Sequence, residues 1–229
     1  MNTQNAPVHI RLWHREFWMM AVANLLLSAS VTLLIPTFPQ WMLYVDGLSA
    51  DETGLAMGAF ALGLFLLGGL CSFLVQHYRR NMVCIWAIVC LAATIIVPVY
   101  LHAVPFWVVA IIRIVQGAAF GLASQVFSST LIIDTCESFQ RTEANHSATW
   151  FGRFALSIGP MVGLLLYPLS DYHVVALASV GCLAASAVLI LLVRFPFRVP
   201  DDQLRVWSLD RFFLIRGWPL FINLLLITV

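Results

Sequence analysis

RIVQGAAFG, Arg113 to Gly121, sets an arginine inside an apolar stretch long enough to cross a bilayer. A guanidinium facing lipid there costs several kcal/mol even on the lower transfer scales. At about 100° per residue, Arg113, Gln116, Gly117, Gly121, Ser124 and Ser128 share an arc of less than half the helix, opposite Val, Ile, Leu and Phe. Arg113 stands nine residues past Val104, roughly 14 Å deep at 1.5 Å per residue. The arginine is therefore expected to face protein or water. It is read as part of a polar cavity wall with Gln116; the competing role is to hold helices together through backbone carbonyls.

The rest of the chain has the same character. Of 229 residues, 61% are hydrophobic and 10% charged, with a mean hydropathy of +0.91. A soluble surface needs far more charge. Apolar runs of about 20 residues, each able to span about 30 Å of hydrocarbon, recur along the sequence. The expectation is an all-α, polytopic membrane protein. Its six spans are Phe17–Phe38, Thr53–Val75, Met82–Leu101, Val104–Ile133, Ala148–Leu169 and Val174–Val193, and a seventh begins at Phe212. The first run is too long for a signal-peptide core and lacks a small-residue cleavage site, so it reads as an uncleaved helix.

All twelve basic residues are arginine. Arg11 and Arg15 precede span 1, Arg79 and Arg80 join spans 2 and 3, and Arg141 joins spans 4 and 5. Arg194, Arg198, Arg205, Arg211 and Arg216 follow span 6. The alternate loops, 42–52, 102–103 and 170–173, hold none. Positive charge stays on the cytoplasmic side, which predicts a cytoplasmic N-terminus. Only Arg113 and Arg153 remain within the membrane. Ser49 and Glu52 have the spacing of a capping box opening span 2. Trp13, Trp18, Trp41, Trp107 and Trp150 lie near span ends, where interfacial anchors belong. The five cysteines form no CxxC pair and read as small buried hydrophobes, so neither a disulfide framework nor a metal site is expected.

Polar and small residues form stripes in spans 1, 2, 4 and 5 but hardly in spans 3 and 6. Asn24, Ser28 and Thr32 recur at helical spacing in span 1, which makes Asn24 a candidate hydrogen-bonding group in the cavity. In span 2, Gly54, Gly58, Ala61, Gly68, Ser72 and Gln76 share an arc read as a packing face. Span 5 has two sides: His146, Thr149, Arg153, Ser157 and Pro160 on one, Gly152, Ala155, Gly159 and Gly163 on another. Arg153 is read either as pairing with Asp134, Glu137 or Glu143, or as a substrate contact. Striped, striped, plain, repeated, is the pattern of two three-helix repeats.

These features resemble the N-terminal half of a major facilitator superfamily transporter. R-x-x-Q-G-x-x-x-G at Arg113, Gln116, Gly117 and Gly121 resembles the helix 4 motif, whose arginine the family's antiporters use in substrate or proton handling. G-P-x-x-G at Gly159, Pro160 and Gly163 resembles the helix 5 motif of proton-exchanging exporters, with Leu164 in place of a final glycine. Ser72 to Asn81, SFLVQHYRRN, is similar to the family's gating loop between helices 2 and 3; Arg80 is kept, but Gln76 replaces the acid.

The resemblance implies a six-helix bundle over residues 1–194, a cytoplasmic connector over 195–211 and an incomplete seventh helix over 212–229. Twelve residues follow Gly217, roughly 18 Å of helix and too short to cross. The expected partners are thus a missing C-terminal half or a second copy, together with lipid, a small organic solute and protons. The function implied is proton-coupled export by alternating access in the cell membrane. The rivals are uptake or exchange of an organic anion, since no carboxylate lies in mid-span, and a truncated protein without transport. HExxH, GxSxG, paired carboxylates and a phosphate-binding glycine loop are all missing, so no enzyme, cofactor or nucleic-acid role is expected.

Overall fold

The computed structural model describes residues 12–100, 105–128, 132–134, 136 and 140–193, without the side chains at 67–73, 75, 76, 133 and 169–171. The expected connector and seventh helix lie outside these residues. The described elements are all helical: α1 Arg15–Thr32, α2 Leu34–Tyr44, α3 Ala50–His77, α4 Arg80–Tyr100, α5 Phe106–Val126, α6 Ile132–Asp134 and α7 Arg141–Leu192. Five stretches among the described residues are long and apolar enough to cross a membrane: Arg15–Tyr44, Arg80–Tyr100, Phe106–Val126, Arg141–Pro168 and Tyr172–Leu192. α3, with 28 residues, adds another helix of spanning length, roughly 42 Å.

Three elements depart from the expected spans. Span 1 is two helices, α1 and α2, meeting at Leu33. Pro36 lies four residues after Thr32, and its ring cannot coexist with a regular turn at that carbonyl. In span 4 the α-helix runs to Val126 and passes into a π-helical turn at Phe127 and Ser128; α6 is helical again, and residues 129–131 lie outside those described. Spans 5 and 6 keep helical backbone through the expected loop at 170–173, so α7 numbers 52 residues.

The pairing of α7 with α1 shows where it turns. Asn24 donates to the carbonyl of Ala148, and Thr32 to that of Ala155, so numbers rise together and the first part of α7 runs parallel to α1. Ser179 donates to Ser30 and Ser186 to Ala23, so the later part runs antiparallel. The direction reverses between Gly163 and Tyr172, around Pro168. The backbone stays helical throughout, yet the packing is that of a two-span hairpin.

The chain divides into two compact units. One is built from α1, α2, α6 and α7, the other from α3, α4 and α5. Each draws helices from both sequence triplets: span 1 with spans 5 and 6, span 4 with spans 2 and 3. Exchanging spans 1, 2, 3 for 4, 5, 6 converts one set into the other, as a three-helix repeat requires.

Close approach through glycine joins the equivalent pair in each unit. A Cβ on Gly63 would strike the backbone of Ile114, and one on Gly117 the backbone of Phe60. Met57, Phe60 and Leu64 meet Arg113, Gly117 and Gly121 in the same order, so α3 and α5 run parallel with their backbones nearly touching. A Cβ on Gly159 would overlap the Thr32 side chain, and one on Gly163 the Leu33 carbonyl. The packing face expected for α3 is corrected here. Gly54 and Gly58 have nothing within 4 Å of an added Cβ, whereas Gly63, about 180° around the helix from Gly54, makes the contact.

The α1–α7 pair supplies a first test. Gly159→Ala should destabilise the protein, and adding Thr32→Ala should recover part of the loss because a side chain is in the way. Gly163→Ala should resist rescue at Leu33, where the obstacle is backbone. Thermal midpoints in detergent for the single and double variants measure both.

The capping box opens α3 as its spacing predicts. The Ser49 hydroxyl accepts the Glu52 N–H at 3.3 Å, and the Glu52 carboxylate accepts the Ser49 N–H at 2.9 Å. The Ser49 N–H first, and then the Ser49 hydroxyl donating to the same carboxylate oxygen at 2.9 Å, hold the Glu52 carboxyl below the usual carboxylate range. Two other expectations are corrected. Trp41 is a core residue, 4% exposed, stacked on Tyr172 at 5.0 Å, whereas Trp13, Trp18, Trp107 and Trp150 are exposed. Of the described cysteines Cys84 is buried, Cys136 and Cys182 are half-buried, and Cys90 is exposed.

Candidate functional site

Arg113 lies on the α3-facing side of α5, seven residues in from Phe106, and is 5% exposed. One guanidinium nitrogen donates to Gln116 Oε1 at 2.7 Å, one turn along the same helix. Another lies 2.9 Å from Met57 Sδ on α3. The guanidinium carbon stands 5.1 Å from the centre of the Phe60 ring, within cation–π range. Gln116, 2% exposed, is oriented by this bond. Gly117 sits on the Phe60 backbone and Gly121 against Leu64. The motif therefore does two jobs: its glycines bring α5 down onto α3, and that approach encloses the Arg113–Gln116 pair between Met57 and Phe60.

The sequence matches the Major Facilitator Superfamily over residues 20–229. The chain belongs to this family. No curated protein matches it. As a Major Facilitator Superfamily member with several spans of membrane-crossing length, it is an integral membrane protein of the transporter type.

The other candidate residues of this Major Facilitator Superfamily chain are dispersed. Asn24 is half-buried, and its amide ties α1 to Ala148 of α7 at 3.1 Å. Arg153 is exposed, on the side of α7 turned away from the glycines. Among the described residues it forms no ion pair with Asp134 or Glu143; Glu137 lies outside them. Gly159 and Gly163 sit against α1, with Pro160 half-buried between them. In the short connection after α3, the Tyr78 N–H bonds the Leu74 carbonyl and Val83 bonds the Arg79 carbonyl. Arg80, half-buried, opens α4; the Gln76 side chain lies outside those described. Arg113 and Gln116 are brought together, while Asn24 and Arg153 belong to the other unit. Sequence reading missed Met57 and Phe60, the residues that enclose the arginine. Nothing in their type sets them apart from core residues.

Proposed function

We propose that this transporter moves a small organic solute by alternating access, in exchange for protons and in the export direction, without cofactor or catalysis. The N-terminus faces the cytoplasm of the cell membrane, and a second half or second copy completes the solute path. One observation supports the reading most. Thr142, His146, Thr149, Arg153 and Ser157 are all exposed and fall within about 80° on α7, while the glycine side of the same helix is packed on α1. A polar stripe bared on a membrane-spanning helix needs water or a polar ligand. Gly159 and Gly163, which bring α7 close against α1, suit a rocking element. Gln76 and Arg80 serve the inner gate; the buried Arg113–Gln116 pair lends polarity to the helices of its own unit, and Asn24 to those of the other.

Arg153 favours a second reading. An exposed guanidinium on that stripe, one turn from Thr149 and two from His146, suits an organic anion. Reconstitution in liposomes separates the two. An imposed pH gradient that drives a cationic dye, unaffected by organic anions, supports proton-coupled export. Exchange of a labelled organic anion that falls about tenfold in Arg153→Gln, the loss of one charged hydrogen bond, supports the anion carrier. Transport of neither would overturn both.

A further inference from the structure

An apolar groove of about 860 Å³ opens where α3, α4 and α5 meet within one unit. Leu66 of α3, Met82, Trp86 and Cys90 of α4, and Val115 and Ala118 of α5 line it. Trp86 is 71% exposed, and Leu66 and Met82 nearly half, a large apolar surface left uncovered by the unit itself. Among the described residues, the lining turns polar at one end: Tyr78 and Arg79, both exposed, in the connection between α3 and α4. From Arg79 to Cys90 the groove follows α4 for roughly 17 Å. One leaflet of hydrocarbon is about 15 Å deep.

We propose that this groove is a binding site for one anionic phospholipid, with an acyl chain along Trp86 and Val115 and the phosphate at Arg79. A cation and a phenol at one end of an apolar channel one leaflet long match a headgroup followed by its chain. A transmembrane helix from a partner would run through both leaflets and would leave half its length outside the channel. The arginine selects charge, and the walls select a saturating hydrocarbon contact without regard to headgroup.

The test is lipid retention by the purified chain, read by native mass spectrometry after titration with phosphatidylglycerol or phosphatidylcholine. Phosphatidylglycerol should be retained about fivefold better, the effect of one arginine near the headgroups. Arg79→Gln should abolish that preference while leaving uptake of both lipids. Val115→Trp fills the groove from an exposed position and should lower retention of both, with the protein still monodisperse. Equal retention of the two lipids, a preference that survives Arg79→Gln, or full retention by Val115→Trp would overturn the proposal. So would efficient Cys90–Cys90 crosslinking in vesicles without retained lipid, which puts a second copy in the groove.

Discussion

Gly117→Val is expected to unseat α5 from α3 and to cost at least about 3 kcal/mol, the upper end of ordinary overpacking. The reason is the kind of atom in the way. An added Cβ at Gly117 meets the backbone carbonyl of Phe60, which cannot rotate aside as a side chain does, so two helices must separate along their contact. Gly63→Val should do the same from the α3 side, against Ile114. Gly58→Ala is the control. It adds a methyl where nothing lies within 4 Å, and it should be neutral or stabilising by up to about 1 kcal/mol through helix propensity. Thermal midpoints and monodisperse yield in detergent distinguish these outcomes. A Gly117→Val protein as stable as the parent would show that α5 is not seated through this glycine.

Arg113→Lys is expected to reduce solute exchange in proteoliposomes by about tenfold or more, the worth of one charged hydrogen bond, with little loss of folded protein. The guanidinium spreads its nitrogens between Gln116 Oε1 and Met57 Sδ and lays its plane near the Phe60 ring. An ammonium is a point charge without that fork. Arg113→Met goes further: it leaves the Gln116 amide buried without its donor, at a cost of about 1–3 kcal/mol in stability. If Arg113→Met loses stability but Arg113→Lys exchanges solute at the parent rate, the arginine serves only to join α3 and α5. A loss of exchange in both, with Arg113→Lys fully folded, assigns it to the transport path.

Much of the membrane architecture is written in local pattern. A run of apolar residues long enough to cross hydrocarbon needs no tertiary partner to be recognised, and the Ser49–Glu52 cap depends on residues three apart. Arg113 and Gln116 could likewise be put on one side of a helix by counting, because a bond between residues one turn apart is a property of that helix alone. The two-sided reading of span 5 has the same origin. The break at Leu33 was also within reach, since Pro36 announces it, but a continuous apolar run concealed it.

Which helix each face meets is another matter. Gly63, not the Gly54–Gly58 arc, touches α5, because contact depends on the matching surface of Ile114 and Phe60 and no periodicity within α3 encodes that. Trp41 has the position of an interfacial anchor, yet Tyr172 lies 131 positions later in the chain and buries it. The same holds for Met57 and Phe60 around the arginine. Hydropathy, charge placement and helical spacing are read along one segment and so reveal the spans and their polar sides. Choice of neighbour is a free energy shared by two surfaces distant in sequence, and it emerges only when the helices are packed.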